Sequence, residues 1–155
     1  MEAQPLEQLF REQFDPMVRL ATLLTGHVHV AEELVMDAFV KVAPRLGDVE
    51  VPVAYLRTAV VNATRSHHRR RRTQRIHDER TMPTEPTHDP EVDELWGQLD
   101  ELRPDERACV VLRFYEDLTV PQIAEQLDLP AGTVKSHLHR SLQTLRTRLD
   151  EGGRP

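Results

Sequence analysis

Residues 73–91, "TQRIHDERTMPTEPTHDPE", carry three prolines and no apolar periodicity. A stretch of this composition buries too little surface to offset the entropy of ordering it, so it reads as a linker with a folded piece on each side. The break constrains the fold more tightly than length does, since 155 residues suit either one domain or two small ones. Extended at ~3.3 Å per residue the stretch reaches at most ~60 Å, more than the ~34 Å of one duplex turn.

Both pieces are helical by period. Leu6, Phe10, Phe14, Met17, Ala21 and Leu24 recur at spacings of three and four, Gly26 offers a stop, and Pro16 invites a kink or restart. A second stripe runs through Ala31, Leu34, Val35, Ala38, Phe39 and Val42 and is expected to stop at Pro44 and Gly47. Pro52 suits the first turn of a third helix with Tyr55, Leu56, Ala59, Val60 and Ala63 on one face, leading into "RSHHRRRR".

Beyond the linker, Val92, Leu95, Trp96, Leu99 and Leu102 form one face, and Pro104 with Asp105 and Glu106 opens a helix through Ala108, Val111, Leu112 and Tyr115. Thr119 and Gln122 make a T-x-x-Q capping box. Val134, Leu138, Leu142, Leu145 and Leu149 predict a long final helix. No strand alternation or internal repeat stands out, so the fold class is all-α.

Composition narrows the function. The net charge of −6 argues against a polyanionic partner, but the average conceals segregation: residues 65–80 hold seven basic groups against two acidic, and residues 81–106 one against nine. Contact with phosphate should therefore be local and oriented. Cys109, the single cysteine, excludes an internal disulfide and lies in "ACVVLRF" among apolar neighbours, as a buried structural thiol would. No apolar run approaches a membrane span and no secretory signal is visible at the N-terminus, so a cytoplasmic protein without membrane insertion is expected.

The stretch 119–142, "TVPQIAEQLDLPAGTVKSHLHRSL", has the spacing of a helix-turn-helix: Ile123, Ala124, Leu127, Leu129 and Val134 face inward, and Asp128 occupies the corner, where a left-handed residue is needed. Thr133, Lys135, Ser136, His137, His139 and Arg140 would then lie on the outer face of the second helix, within reach of base edges and phosphates. The plainer reading is a helical hairpin with a solvated face. Arg65, Arg69, Arg70, Arg71 and Arg72 form a second basic cluster, suited to planar, charge-assisted bonding to phosphate or, more plainly, to a solvated linker start. The histidine pairs His27/His29, His67/His68 and His137/His139 lack metal-ligand spacing and a cysteine partner. No catalytic motif is present, so neither metal, cofactor nor enzyme activity is expected.

Taken together these stretches resemble the extracytoplasmic-function (group 4) sigma factors of bacterial RNA polymerase. "LTGHVHVAEELVMDAFVKV" is similar to the family's LTGD-x-x-x-AEDLVQEAF stretch, "PVAYLRTAVVNATRSHHRRRR" to its YLR and arginine-rich stretch, and "LDELRPDERACVVLRFYEDLTVPQIAEQLDLPAGTVKSHLHRSLQTLRTRL" to its C-terminal domain. The resemblance implies sigma domain 2 over 5–73, a flexible linker over 74–91 and the helix-turn-helix sigma domain 4 over 92–150. It implies that Glu32, Glu33, Leu34, Val35 and Asp37 meet the beta-prime clamp helices of core RNA polymerase, with the beta flap a further contact. Arg57, Asn62, Arg65, His68 and Arg69 to Arg72 would engage and open the −10 element. Thr133, Lys135, Ser136, His137, His139 and Arg140 would read the −35 element of promoter DNA, and an anti-sigma protein would sequester the chain. Departures from the family pattern are His27 for Asp, Met36 for Gln, Ser66 near the usual Asp and Pro130 where Ser or Thr caps the recognition helix. The alternative is a stand-alone helix-turn-helix regulator resembling response-regulator output domains, whose N-terminal receiver would alternate strands with helices.

Overall fold

A computed structural model describes residues 3–77 and 90–152, with side chains described over 6–73 and 90–148. All its regular elements are helical, and no strand occurs among the described residues. The chain divides into two compact units, Met1–His88 and Asp89–Pro155.

In the first unit α1 (Ala3–Thr25), α2 (Val28–Val42) and α3 (Pro52–His77) pack around one core. The expected stripe of α2 is buried in full: Ala31, Leu34, Val35, Ala38, Phe39 and Val42. On α1 the buried face is shifted. Leu9, Met17, Leu20, Ala21, Leu23 and Leu24 are enclosed, while Phe10 keeps 37% of its surface exposed and makes ring contacts with Phe14 at 4.9 Å and Phe39 at 5.1 Å. Two helices cover α1, and together they enclose a wider arc than the stripe that spacing alone identifies. Pro16 neither ends nor restarts α1, which continues to Thr25. Gly26, at φ 81°, supplies the left-handed turn that stops it, donating its N–H to Thr22 O at 2.7 Å. α2 stops at Val42, just ahead of Pro44 as expected, and Pro44 and Gly47 lie inside the 3₁₀ turn that follows, Ala43–Asp48, which buries Leu46.

Pro52 opens α3 as expected, and the helix buries Leu56, Val60, Val61 and Thr64. It runs past residue 73 to His77, so four residues assigned to the linker are helical. At the other end Pro90 and Glu91 belong to α4 (Pro90–Leu99), and residues 78–89, with the remaining prolines of the linker, lie outside the described residues. Proline at a first helical position starts a helix rather than breaking it.

The second unit adds α5 (Pro104–Val110), α6 (Val120–Leu127) and α7 (Ala131–Gly152). Arg107 organises its entrance. The guanidinium stacks 4.5 Å over Trp96 and donates to the carbonyls of Leu99, at 3.2 Å from Nε, and Leu102, at 2.9 Å from Nη2. Leu99 closes α4 and Leu102 lies in the turn after it, where Leu102 N–H also bonds Leu99 O at 3.1 Å. Burial lowers the Arg107 pKa to about 10, opposed by Asp100, so it stays charged at neutral pH.

The helix expected through Tyr115 changes character at Val111, where a π turn, Val111–Tyr115, takes over. Glu116 N–H bonds Val111 O at 3.1 Å, Leu118 N–H bonds Leu112 O at 2.9 Å, and Asp117 turns left-handed at φ 56°. Leu112 remains buried while Phe114 and Tyr115 face outward.

On α7, Val134 and Leu138 are buried, but Leu142 is 41% exposed and Ser141 takes its place in the core. Each spacing of four rotates a helical position by about 40° from its predecessor, so two in succession carry Leu142 off the face that a spacing of three restores. Leu149's side chain lies outside the described ones. Cys109 is fully buried. No described helix is long and apolar enough to cross a membrane.

Candidate nucleic-acid interface

The helix-turn-helix is assembled from local chemistry. Thr119 Oγ1 accepts from Gln122 N–H at 3.3 Å and Gln122 Oε1 accepts from Thr119 N–H at 2.8 Å, which completes the capping box of α6. Asp128 adopts φ 53°, ψ 49°, and Leu129 N–H reaches back to Ala124 O at 3.0 Å, so the corner is a left-handed helix stop carried by Asp rather than Gly. Pro130 caps α7 with its carbonyl alone, accepting from Thr133 and Val134 N–H at 3.0 and 3.1 Å. Ile123, Leu127 and Val134, all fully buried, fix the two helices against each other.

That packing settles which way α7 faces. Lys135, Ser136, His139 and Arg140 are exposed; Thr133 and His137 are half-buried. Thr133, Ser136, His137 and Arg140 fall within an arc of about 100°, while His139 and Lys135 lie together on one side, about 60° and 100° beyond its edge. Arg140 Nη2 lies 3.4 Å from His137 Nδ1. A guanidinium has donors only, so Nδ1 must accept and the imidazole proton sits on Nε2, directed away from Arg140.

The arginine run is part of α3 and divides by helical angle. Asn62, Arg65, Arg69 and Arg72, spaced three, four and three apart, share an arc of about 80°. Of these Asn62, Arg69 and Arg72 are exposed and Arg65 is half-buried. Arg70 is exposed on another side, whereas Arg57 and Arg71 are half-buried. Arg69 Nη2 also donates to Ser66 Oγ at 3.1 Å. His68, counted with these residues on sequence, points inward: its Nε2 donates to Leu24 O at 2.8 Å.

His67 is a feature that sequence reading assigned no role. Half-buried beside His68, Arg71, Arg70 and His27, it has a pKa lowered from 6.5 to about 4, first by burial and then by those positive neighbours, and is neutral at physiological pH. The signal was present in the adjoining "HHRRRR", but its burial depends on how α3 packs.

On α2, Glu32, Glu33 and Asp37 are exposed, as a contact surface requires. Leu34 and Val35 are 6% and 0% exposed and belong to the core, which corrects their expected place at a partner interface. They already formed part of the apolar stripe, and one side chain cannot serve both faces of a helix. The apolar groups on the outer surface are Met36 and Val40, 44% and 71% exposed. Among the described residues no three His, Cys, Asp or Glu side chains come together as a metal site.

Residues 93–145 match the family model "Sigma-70, region 4". Over 96% of its length the chain is 32% identical to the RNA polymerase sigma-E factor of Streptomyces avermitilis, spanning 87% of that protein. It is 29% identical, over 98% of its length and 93% of the relative's, to the ECF RNA polymerase sigma factor SigL of Mycobacterium tuberculosis. Among solved structures, the sigma factor RpoE in complex with the anti-sigma factor NepR from Bartonella quintana aligns with a TM-score of 0.78 at 20% identity, over 93% of this chain and 96% of that one, a likeness of fold.

Proposed function

The chain belongs to the extracytoplasmic-function family of RNA polymerase sigma factors, and from this premise we propose that it is a promoter-specificity subunit, which directs core polymerase to particular promoters and helps open them. The first unit, as sigma domain 2 over 5–73, holds polymerase and the −10 element; the second, as sigma domain 4 over 92–150, reads the −35 element; the segment 74–91 joins them. It works in the cytoplasm and carries out no bond chemistry of its own.

Within the first unit the outer face of α2, with Glu32, Glu33 and Asp37, meets the beta-prime clamp helices. Asn62, Arg65, Arg69 and Arg72 engage the −10 strand region, with Arg57, Arg70 and Arg71 beside them. In the second unit Thr133, Lys135, Ser136, His137, His139 and Arg140 enter the major groove, and the beta flap is the expected polymerase contact. An anti-sigma protein holds the chain in reserve, a role supported by the NepR partner of the fold neighbour.

What carries the reading is that the 32% identity extends through both units, not through the helix-turn-helix alone. A stand-alone regulator would share only the second. Residues 107–155 hold seven basic and six acidic groups. Affinity for duplex grows with the number of phosphates neutralised, so the free chain binds DNA weakly and the polymerase supplies the rest. The test is transcription in vitro from genomic fragments by core polymerase with and without the chain. New, defined start sites are expected; no gain of such sites would end the sigma-factor reading.

A further inference from the structure

An open groove of about 390 Å³ runs beside the outer face of α7, lined by Arg103 and Glu106 from the start of α5 and by Arg140, Gln143, Thr144 and Thr147 from α7. Gln143, Thr144 and Thr147 continue the face of Ser136 and Arg140 towards the C-terminus of α7, so Arg140 belongs to both the base-reading arc and the groove. Arg103, which precedes Pro104 as the N-cap of α5, is exposed; its carbonyl accepts from Arg107 N–H at 2.8 Å, and its side chain makes no capping bond. Arg140 spends one donor on His137 Nδ1 and keeps the rest of its fork free for the groove. The two threonines offer no proton to a ligand: Thr144 Oγ1 donates to Arg140 O at 3.1 Å and Thr147 Oγ1 to Gln143 O at 3.0 Å. The lining thus holds two guanidinium groups and one amide as donors, with a single carboxylate, Glu106, opposing them.

We propose that this groove is a phosphodiester seat, in which Arg103 and Arg140 together grip a backbone phosphate of the duplex whose bases α7 reads. The inference rests on the proposed function and deepens it, adding to the −35 contact a residue from outside the helix-turn-helix. Planar guanidinium forks suit phosphate oxygens, and two arginines lining one groove can position a strand without reading its sequence. Glu106 limits the strength of the grip. It keeps the seat from holding nonspecific DNA tightly, so the seat acts when the recognition helix is already placed.

The experiment measures binding of promoter duplex by the full chain with core polymerase across a range of salt concentrations. For Arg103→Ala, affinity is expected to fall by roughly threefold to tenfold, by the same factor for every −35 sequence, and the slope of log affinity against log salt to shrink by about one. Arg103→Lys should keep most of the slope, and Glu106→Gln should raise affinity. Inorganic phosphate at matched ionic strength should compete no better than chloride; selective loss of the Arg103-dependent affinity would make this a free-phosphate site and overturn the assignment. Arg103→Ala with wild-type affinity and slope would overturn it as well, provided the wild-type chain forms promoter-specific complexes. A wild-type chain that forms none overturns the proposed function first, and this inference with it.

Discussion

His68 Nε2 lies 2.8 Å from the carbonyl oxygen of Leu24, so a side chain from the basic run of α3 closes the end of α1. The run is therefore not a uniform cationic brush: one of its members is structural, and its arginines are aimed by the helix that this bond anchors. We predict that His68→Ala destabilises the first unit by about 1 kcal/mol, the usual worth of a part-buried hydrogen bond, whereas His68→Gln, whose amide can donate, recovers part of the loss. Thermal unfolding of the two variants decides it, and an unshifted midpoint for His68→Ala would count against the bond.

His67 makes stability depend on pH. The folded chain keeps this imidazole neutral down to about pH 4, while the unfolded chain takes up the proton near the ordinary value of 6.5. Unfolding therefore binds a proton in this window, so stability is full above pH 6.5 and declines as the pH falls towards 4. Because the ring is only half-buried and solvent screens its neighbours, the loss should be of order 1 kcal/mol. Urea midpoints measured at intervals across the window should decline in the wild type and flatten in His67→Gln; parallel curves would refute the assignment.

Arg107 joins α4 to α5 through bonds to the carbonyls of Leu99, Asp100 and Leu102 and the face of Trp96. Arg107→Ala removes the guanidinium from the Leu102 carbonyl and leaves Leu99 O with the Leu102 N–H alone, and should cost about 2–4 kcal/mol. Arg107→Lys keeps the charge but cannot form the fork, and should fall between the two. Chemical denaturation of the intact chain, followed by Trp96 fluorescence, provides the measurement; equal stabilities for all three proteins would show that the fork contributes nothing.

The two faces of α2 should separate in a mutational test. Val35→Ala opens a cavity in the core and should lower stability by about 1–3 kcal/mol. Met36→Asp and Val40→Asp change exposed positions and should leave stability within about 0.5 kcal/mol, yet weaken binding to core polymerase at least roughly tenfold by placing charge in an apolar contact. If the Asp variants bind core polymerase as well as wild type, the contact lies elsewhere.

The Arg140–His137 bond predicts a base preference. With the proton held on Nε2, His137 presents a donor, which suits N7 or O6 of guanine, N7 of adenine or O4 of thymine and not the amino group of cytosine. Arg140→Ala releases Nδ1 and either tautomer becomes available, so selection from duplexes randomised across the −35 region should become more permissive at the base facing His137. An unchanged preference in the variant would remove the tautomer from the explanation.

Much of this molecule is local and could be read along the chain. The stripe of α2, the capping box of Thr119 and Gln122, the left-handed corner at Asp128 and the proline starts at Pro52 and Pro104 each depend on residues within a turn or two, and all are found in the structure. The all-α class and the helix-turn-helix follow from these periods, and the resemblance carried by the motifs identified the family. What local spacing could not supply was phase and direction. Whether Leu9 or Phe10, Ser141 or Leu142 enters the core depends on the angle at which another helix arrives, and a difference of one residue is about 100° of rotation. The same tertiary packing turned His68 inward to Leu24, 44 residues away in sequence, and brought Arg103 and Arg140 to one groove. Burial belongs to a residue's neighbours in space, and those are decided when the helices pack.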